Sequence, residues 1–349
     1  MREDWKSFLS TAAGANIDGD TTTDFGNITR ERKVVLSGST MADLSNLGLI
    51  AVYGEDARHF LQNQLTNDIN NVSASRSQLN GYCNPKGRLF TLFHVLQRDE
   101  TFYLQLPREL IEPMLKRLRM FVLNSKVTLE DASDSLIRIA YASPRADEEL
   151  TNIIDSLPTD DYASTFNDEV SVIKLLGTPT HTRFEFIGET EAMKKLWEQL
   201  DVHASPIGFP AWHLLDVMSA QPQVTLATSE EFVPQMLNLD VIGGVSFKKG
   251  CYPGQEIVAR VKYLGKIKRR MYLAFSESDT TPKVGNALYR KKDQEAASAG
   301  MVVSSTAGPD NGYYLLCSLE TAHANDTLFT DKALSSPIKL MEMPYTVEI

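Results

Sequence analysis

The chain has 349 residues, 42% of them hydrophobic, enough to bury sizeable cores and too many for one ordinary domain, so two or three are expected. A net charge of −10 and a pI near 5.2 exclude a general nucleic-acid binder, and any anionic partner has to meet a local basic patch. Cys83, Cys251 and Cys317 are too far apart for a disulfide framework or zinc spacing. With no apolar signal core or bilayer-length run, a soluble protein of the reducing cytoplasm is expected.

Residues 3–13 read as a short helix with Trp5, Phe8 and Leu9 on one side, and 14–27, polar and rich in Gly, Asp and Thr, as a loop or mobile arm. Lys33 to Ser37 and Gly48 to Tyr53 read as strands. Gly54-Glu55-Asp56 then opens a helix with Ala57, Phe60, Leu61, Gln64 and Leu65 on one face. After the turn-rich loop 80–87, residues 88–97 and 101–106 form a predicted hairpin. Residues 107–123 form an amphipathic helix whose apolar stripe is core. Between 136 and 200 the order is strand, helix (147–157), two strands and helix, which fits a ferredoxin-like half. Pro206 to Pro210 marks a boundary, and 211–220 is a short helix carrying Trp212. From Met271 onward, short strands separated by Gly, Pro, Asn and Asp predict a small β-barrel.

Six scattered histidines form no ligand frame, so no metal site is expected. No Gly-x-Ser-x-Gly elbow and no Gly-x-Gly-x-x-Gly fingerprint is present. Chemistry concentrates instead in residues 247–270, where eight cations face only Glu256. Cys251 follows Lys248 and Lys249 and precedes the turn at Pro253-Gly254. That setting favours a thiolate; the plainer reading is a small buried apolar cysteine. Gln255 and Glu256 offer the donor and acceptors that would read an amide-like ring edge, or Glu256 pairs with Arg260 four residues on. Arg260, Lys268 and Arg269 either meet carboxylates or phosphates or form a solvated face. Trp212 is either a stacking platform or an ordinary core side chain.

Lys249-Gly250-Cys251-Tyr252-Pro253-Gly254-Gln255-Glu256 resembles the signature of the YgfZ family, folate-binding proteins related to the glycine-cleavage T-protein. The likeness continues through Pro234-Gln235, Asn238-Leu239, Gly243 to Phe247, Arg260 and Lys268-Arg269, and more weakly through Gln64 to Asp68 and Lys86 to Arg88. It implies an α+β, three-part, T-protein-like architecture, with ferredoxin-like halves forming a folate-binding domain and a C-terminal β-barrel. The expected division is 1–32 as an N-terminal helix and arm, 33–135 with 205–265 as the folate-binding domain, 136–204 as a ferredoxin-like domain and 266–349 as the barrel.

The resemblance further implies a reactive Cys251 and tetrahydrofolate or another reduced folate as cofactor, with Trp212 in the folate pocket. A second aromatic position of that pocket falls on Leu47. Gln255, Glu256, Arg260, Lys268 and Arg269 complete the expected ligand contacts. The implied role is an accessory one in assembly or repair of iron–sulfur enzymes, some of them tRNA-thiolating. Folate and iron–sulfur client or assembly proteins are the expected partners of a monomer with no membrane contact.

The rival from another class is a tetrahydrofolate-dependent aminomethyltransferase or demethylase. T-proteins carry an acidic pair where this chain has Phe90 and Thr91, and neither side chain can act as a carboxylate. A direct tRNA-binding module is a third reading, against which the overall charge weighs.

Overall fold

The computed structural model describes residues 1–167, 169–263, 265–293 and 295–347. The chain begins with helix α1 (Glu3–Thr11), strands β1 (Asn16–Asp18) and β2 (Thr21–Asp24), and helix α2 (Ile28–Val34). Then come β3 (Thr40–Asp43), β4 (Leu47–Tyr53), α3 (Ala57–Gln62), β5 (Gln78–Cys83), β6 (Leu89–Arg98), β7 (Thr101–Pro107), α4 (Ile111–Arg119) and β8 (Thr128–Asp131). These lead into β9 (Ile137–Ser143), α5 (Ala146–Leu150), β10 (Ser164–Asn167), β11 (Val170–Leu175), β12 (Thr182–Gly188), α6 (Thr190–Leu200), β13 (Ser205–Pro206) and α7 (Phe209–Met218). The last part holds α8 (Gln255–Tyr263), β14 (Arg269–Ser276), β15 (Ala287–Lys292), β16 (Glu295–Ala307), β17 (Tyr313–Glu320), β18 (Leu328–Phe329) and β19 (Pro337–Leu340).

Two compact units share these elements, each built of three segments that alternate along the chain. Unit one holds residues 1–61, 69–79 and 93–215; unit two holds 62–68, 80–92 and 216–349. Strands β5 and β6, in the sheet ordered β5-β6-β7-β4-β8, therefore change unit along their length.

Unit one contains a mixed sheet ordered β10-β11-β12-β9-β3-β13, in which only β13 runs parallel to its neighbour. The period-two alternation of β9 and β12 gives this sheet two unlike faces. Ile139, Tyr141, Phe184 and Phe186 belong to a core with Trp5 and Leu9 of α1 and Met193, Trp197 and Leu200 of α6. Trp5 meets Trp197 edge-on at 5.8 Å. Arg138, Arg183 and Glu185 alternate with those apolar residues and are also buried.

Unit two contains a closed antiparallel barrel, β14-β17-β16-β15-β18-β19, in which β19 pairs back onto β14. Leu288, Val302, Leu315, Cys317 and Leu319 fill it. Among the described residues no helix is long and apolar enough to cross a membrane.

The barrel and the α+β class follow the expectation from sequence, while several local elements do not. The polar stretch 14–27 carries the hairpin β1–β2, and Thr22 and Trp5 both donate to the buried carboxylate of Asp43, at 3.0 and 2.8 Å. Residues 33–37, rich in Val and Leu, are not a strand. The Asn27 side chain caps α2 by accepting from Arg30 N, and Glu31 accepts from Phe25 N and Gly208 N, so capping and tertiary contact override the β-branched signal. The helix expected over 147–157 is only Ala146–Leu150.

Candidate functional site

The signature turn lies in unit two. Its fastening is Lys249, whose Nζ donates to the carbonyls of Gln62 (2.7 Å), Leu65 (2.6 Å) and Asn67 (2.8 Å). An ammonium has three N–H bonds, and here each has an acceptor. The residue is 8% exposed. Burial lowers its pKa to about 8, and the Asp68 charge opposes that fall. The segment that receives it is itself tied down. Thr66 Oγ1 donates to Gly244 O at 2.7 Å, and Asn67 Nδ2 donates to Gly243 O at 2.6 Å.

Two glycines interlock beside this anchor. Gly254 has φ +81°, and a Cβ there would lie 2.4 Å from Asn84 O and 2.6 Å from Gly87 Cα. Gly87 has φ +70°, and a Cβ there would meet Ile257 Cβ at 3.0 Å. The left-handed φ and the close approach both require glycine. Asn84 fixes the facing turn, its Oδ1 accepting from Lys86 N and Arg88 N while its Nδ2 donates to Glu230 at 2.6 Å.

This frame leaves Cys251 exposed and unbridged. Cys83 is buried, and burial pushes its thiol pKa well up. It lies within electrostatic reach of Tyr252, whose phenol is pushed up chiefly by burial. The basic run divides by use. Lys249 is turned into carbonyls, Arg269 pairs with Glu320 at 2.9 Å, and buried Arg270 pairs with Asp240 at 2.6 Å. Lys248, Arg260, Lys262, Lys266 and Lys268 stay exposed. Gln255 opens α8 half-buried and Glu256 is exposed. Among the described residues Glu256 forms no ion pair with Arg260, although both lie on α8.

Leu47 and Trp212 lie in unit one. Each touches an arginine that alternates out of the apolar core. Trp212 is 1% exposed, with the Arg183 guanidinium 4.8 Å above its ring. Leu47 presents its carbonyl, which accepts from Arg138 Nη2 at 2.7 Å.

Arg138 is buried, yet its Nε and Nη1 have no hydrogen-bond partner among the described residues. Burial lowers its pKa to about 10 against the holding charges of Glu185 and Asp43. Glu185, 1% exposed, has one oxygen 3.7 Å from His94 Nδ1 and leaves Oε1 without a partner. His94 Nε2 lies 2.9 Å from Ser77 Oγ, so serine, histidine and carboxylate fall in a row. The Ser77 hydroxyl donates to Tyr162 O at 2.9 Å, so Nε2–H must donate to Ser77, and no base faces the serine. The row is a buried polar network, not a nucleophile.

Sequence reasoning missed Arg138, Glu185, His94 and Ser77. The available signal was the alternation in Thr182-Arg-Phe-Glu-Phe-Ile187, which normally marks a strand with one wet face. Here both faces are dry. Among the described residues no cluster of three His, Cys, Asp or Glu side chains is placed to hold a metal ion.

Residues 15–243 match the family described as the GCVT N-terminal domain. The chain is 31% identical over 316 residues to the tRNA-modifying protein YgfZ of Colwellia psychrerythraea, covering 88% of this chain and 93% of that one. The chain belongs to the YgfZ family. A second YgfZ, from Aliivibrio fischeri, is 30% identical over 312 residues, 89% of this chain and 94% of its own. In three dimensions the chain resembles the glycine cleavage system aminomethyltransferase T of Bartonella henselae. The TM-score is 0.76 at 16% identity, over 97% of this chain and 96% of that one, so the two share a fold. The chain is thus a YgfZ-family sequence in the fold of that aminomethyltransferase, and the turn built on Lys249 and Gly254 lies in its unit two.

Proposed function

We propose that this YgfZ-family protein is a folate-binding accessory factor, with tetrahydrofolate or another reduced folate as its ligand. In this reading it supports the iron–sulfur enzymes of tRNA modification. The observation that carries the folate reading is the unused hydrogen-bonding capacity on the polar face of the unit-one sheet. Arg138 retains donors and Glu185 an acceptor, both buried, where an unmet polar group costs about 1–3 kcal/mol. A pterin edge presents a carbonyl beside N–H groups and is complementary to that pair. Leu47 holds Arg138 through its carbonyl, and Trp212 supports Arg183 on the same strand as Glu185. Bound, the reduced pterin would supply a one-carbon carrier or a source of electrons.

Cys251 is the reactive group of this reading, since it is exposed while Cys83 and Cys317 are buried. Gln255, Glu256, Arg260, Lys268 and Arg269 lie in unit two with Cys251, and Arg269 is already held by Glu320. Transferase chemistry is disfavoured. Phe90 packs on Tyr82 at 5.6 Å and the Thr91 hydroxyl donates to Leu92 O, so neither position offers a base. General acid–base help is worth on the order of 10²–10⁴ in rate, and purified protein should form methylene-tetrahydrofolate only at background.

Calorimetric titration with tetrahydrofolate tests the reading. Wild type should bind, and Glu185→Gln and Arg138→Met should each weaken binding about tenfold or more, as expected for a bond to a charged group. Unchanged affinity in both variants would remove the pocket from this face, and no binding by wild type would remove the folate. Cys251→Ser should keep folate affinity and lower tRNA thiolation in a deletion background. Full thiolation there would discard the role of the thiol.

A further inference from the structure

The exposed half of the basic segment is built unlike a solvated charge run. Tyr263, at the end of α8, is 66% exposed. Phe247 meets it edge-on, with ring centroids 6.0 Å apart at 76°, and so holds residues 247–248 beside the end of the helix. Lys262 Nζ lies 5.6 Å from the centre of the Phe247 ring. Arg260 and Lys262 are within one turn of Tyr263, Lys248 follows Phe247, and Lys266 and Lys268 continue the chain. All five cations are exposed, and among the described residues none of them forms an ion pair. Of the carboxylates nearby, Glu320 is paired with Arg269 and Asp240 with Arg270, and Glu256, alone on α8, makes no ion pair with these cations among the described residues.

In a chain of net charge −10, these uncompensated cations beside a braced, exposed aromatic ring form a specific local chemistry. An acidic protein surface or a carboxylate tail would use the cations and leave Tyr263 idle. A strand of phosphodiesters with accessible bases uses both, because cations track the backbone while a base stacks on the ring.

We propose that this face of unit two, α8 with residues 247–248 and 265–268, binds a single-stranded nucleic-acid segment, with a base on Tyr263 and phosphates on the five cations. The inference goes beyond the folate reading and does not rest on it. The overall negative charge excludes tight, indiscriminate binding and confines the polyanion to this face.

The test is fluorescence anisotropy of the full chain with a labelled, unstructured RNA of about 12 nucleotides, within the usual span of one such module. Matched DNA, a duplex of the same sequence and poly-glutamate are the comparison probes. Binding should weaken steeply with salt. Tyr263→Ala should weaken it about tenfold, the scale of one lost base stack. Lys262→Gln with Lys266→Gln should shallow the log–log salt slope by roughly 1.4, or about 0.7 for each phosphate contact on a single strand. Circular dichroism melting of each variant keeps misfolding apart from lost binding, and these side chains are exposed.

Binding of RNA and DNA alike supports the proposal as stated, and a preference for RNA supports it with the 2′-hydroxyl as an added contact. Unchanged affinity in Tyr263→Ala overturns it, as does equal affinity for the duplex. Displacement of RNA by poly-glutamate at equal charge concentration would overturn it in favour of an acidic protein partner. Loss of folate binding in the Glu185 and Arg138 variants would leave the RNA result untouched, so the two readings fail separately.

Discussion

Lys249 in unit two and Arg138 in unit one are both buried cations, and they are used in opposite ways. Lys249 gives each of its three N–H bonds to a backbone carbonyl. Arg138 gives one nitrogen to Leu47 O and leaves Nε and Nη1 without partners among the described residues. A buried cation whose donors are all met is a fastening, because its removal strands the acceptors. One whose donors are unmet contributes little to holding the chain and keeps capacity for something not covalently part of it. Signature membership therefore marks the structural cation, and the candidate ligand-binding cation lies outside any motif.

Arg270 should give the largest effect, since its charge is committed to a buried carboxylate of the chain, as the Lys249 charge is to carbonyls. It makes a buried pair with Asp240 and also donates to Gln235 O. Arg270→Ala should lower unfolding free energy by about 3–5 kcal/mol in urea, because the Asp240 charge is left buried and alone. A loss under about 1 kcal/mol would break the rule that buried cations committed to partners within the chain fasten it. Gly254→Ala attacks the turn that follows Lys249, forcing a Cβ 2.4 Å from Asn84 O at φ +81°. About 2–4 kcal/mol should be lost, with Cys251 alkylation kinetics altered as the turn shifts.

Lys249→Met should cost about 2–3 kcal/mol at neutral pH by stranding three carbonyls. It also carries a pH signature. The folded pKa of about 8 lies below the ordinary 10.5, so between those values the unfolded chain holds the proton and the folded chain does not. Stability must then rise with pH across that window, by of order 2–3 kcal/mol if no other group titrates there. Urea midpoints between pH 7.5 and 10.5 should climb in wild type and stay flat in the variant. A wild-type midpoint that falls over the window would reverse the assignment. The smallest stability effect belongs to Arg138→Met, under about 1.5 kcal/mol, since the guanidinium makes one hydrogen bond and no close ion pair among the described residues and the stem is replaced. A loss as large as that of Arg270→Ala would make the two cations alike and end the contrast.

What could be read from sequence followed the range of the interaction concerned. The barrel strands from Met271 onward announce themselves through local turn residues, and the helix Thr190–Leu200 through a stripe of Met193, Leu196 and Trp197. The β-rich run at 33–37 misled because Asn27 and Glu31 decide it through a cap and a bond to Gly208, a residue far along the chain. At the site, the motif pointed to the neighbourhood of Cys251 and not to what each residue does there. Lys249 was read as a neighbour of the thiol, yet it serves residues 62–67. The Arg138–Glu185 pair stayed hidden because alternation cannot distinguish a strand with a wet face from one whose polar face is enclosed.

The threading of the chain through the two units sets an order of synthesis. Residues 62–68 and 80–92 belong to unit two, whose remaining segment begins only at residue 216. Thr66 and Asn67 must await Gly243 and Gly244, and the carbonyls of Gln62, Leu65 and Asn67 must await Lys249. At usual elongation rates that interval is roughly ten to thirty-five seconds. Through it the nascent chain carries two short pieces of unit two, inside the sequence of unit one, whose bonds to residues 216–349 cannot yet form. A stop codon just after residue 215 would strand those pieces permanently, so the truncated product should be a client of chaperones and not a free-standing domain.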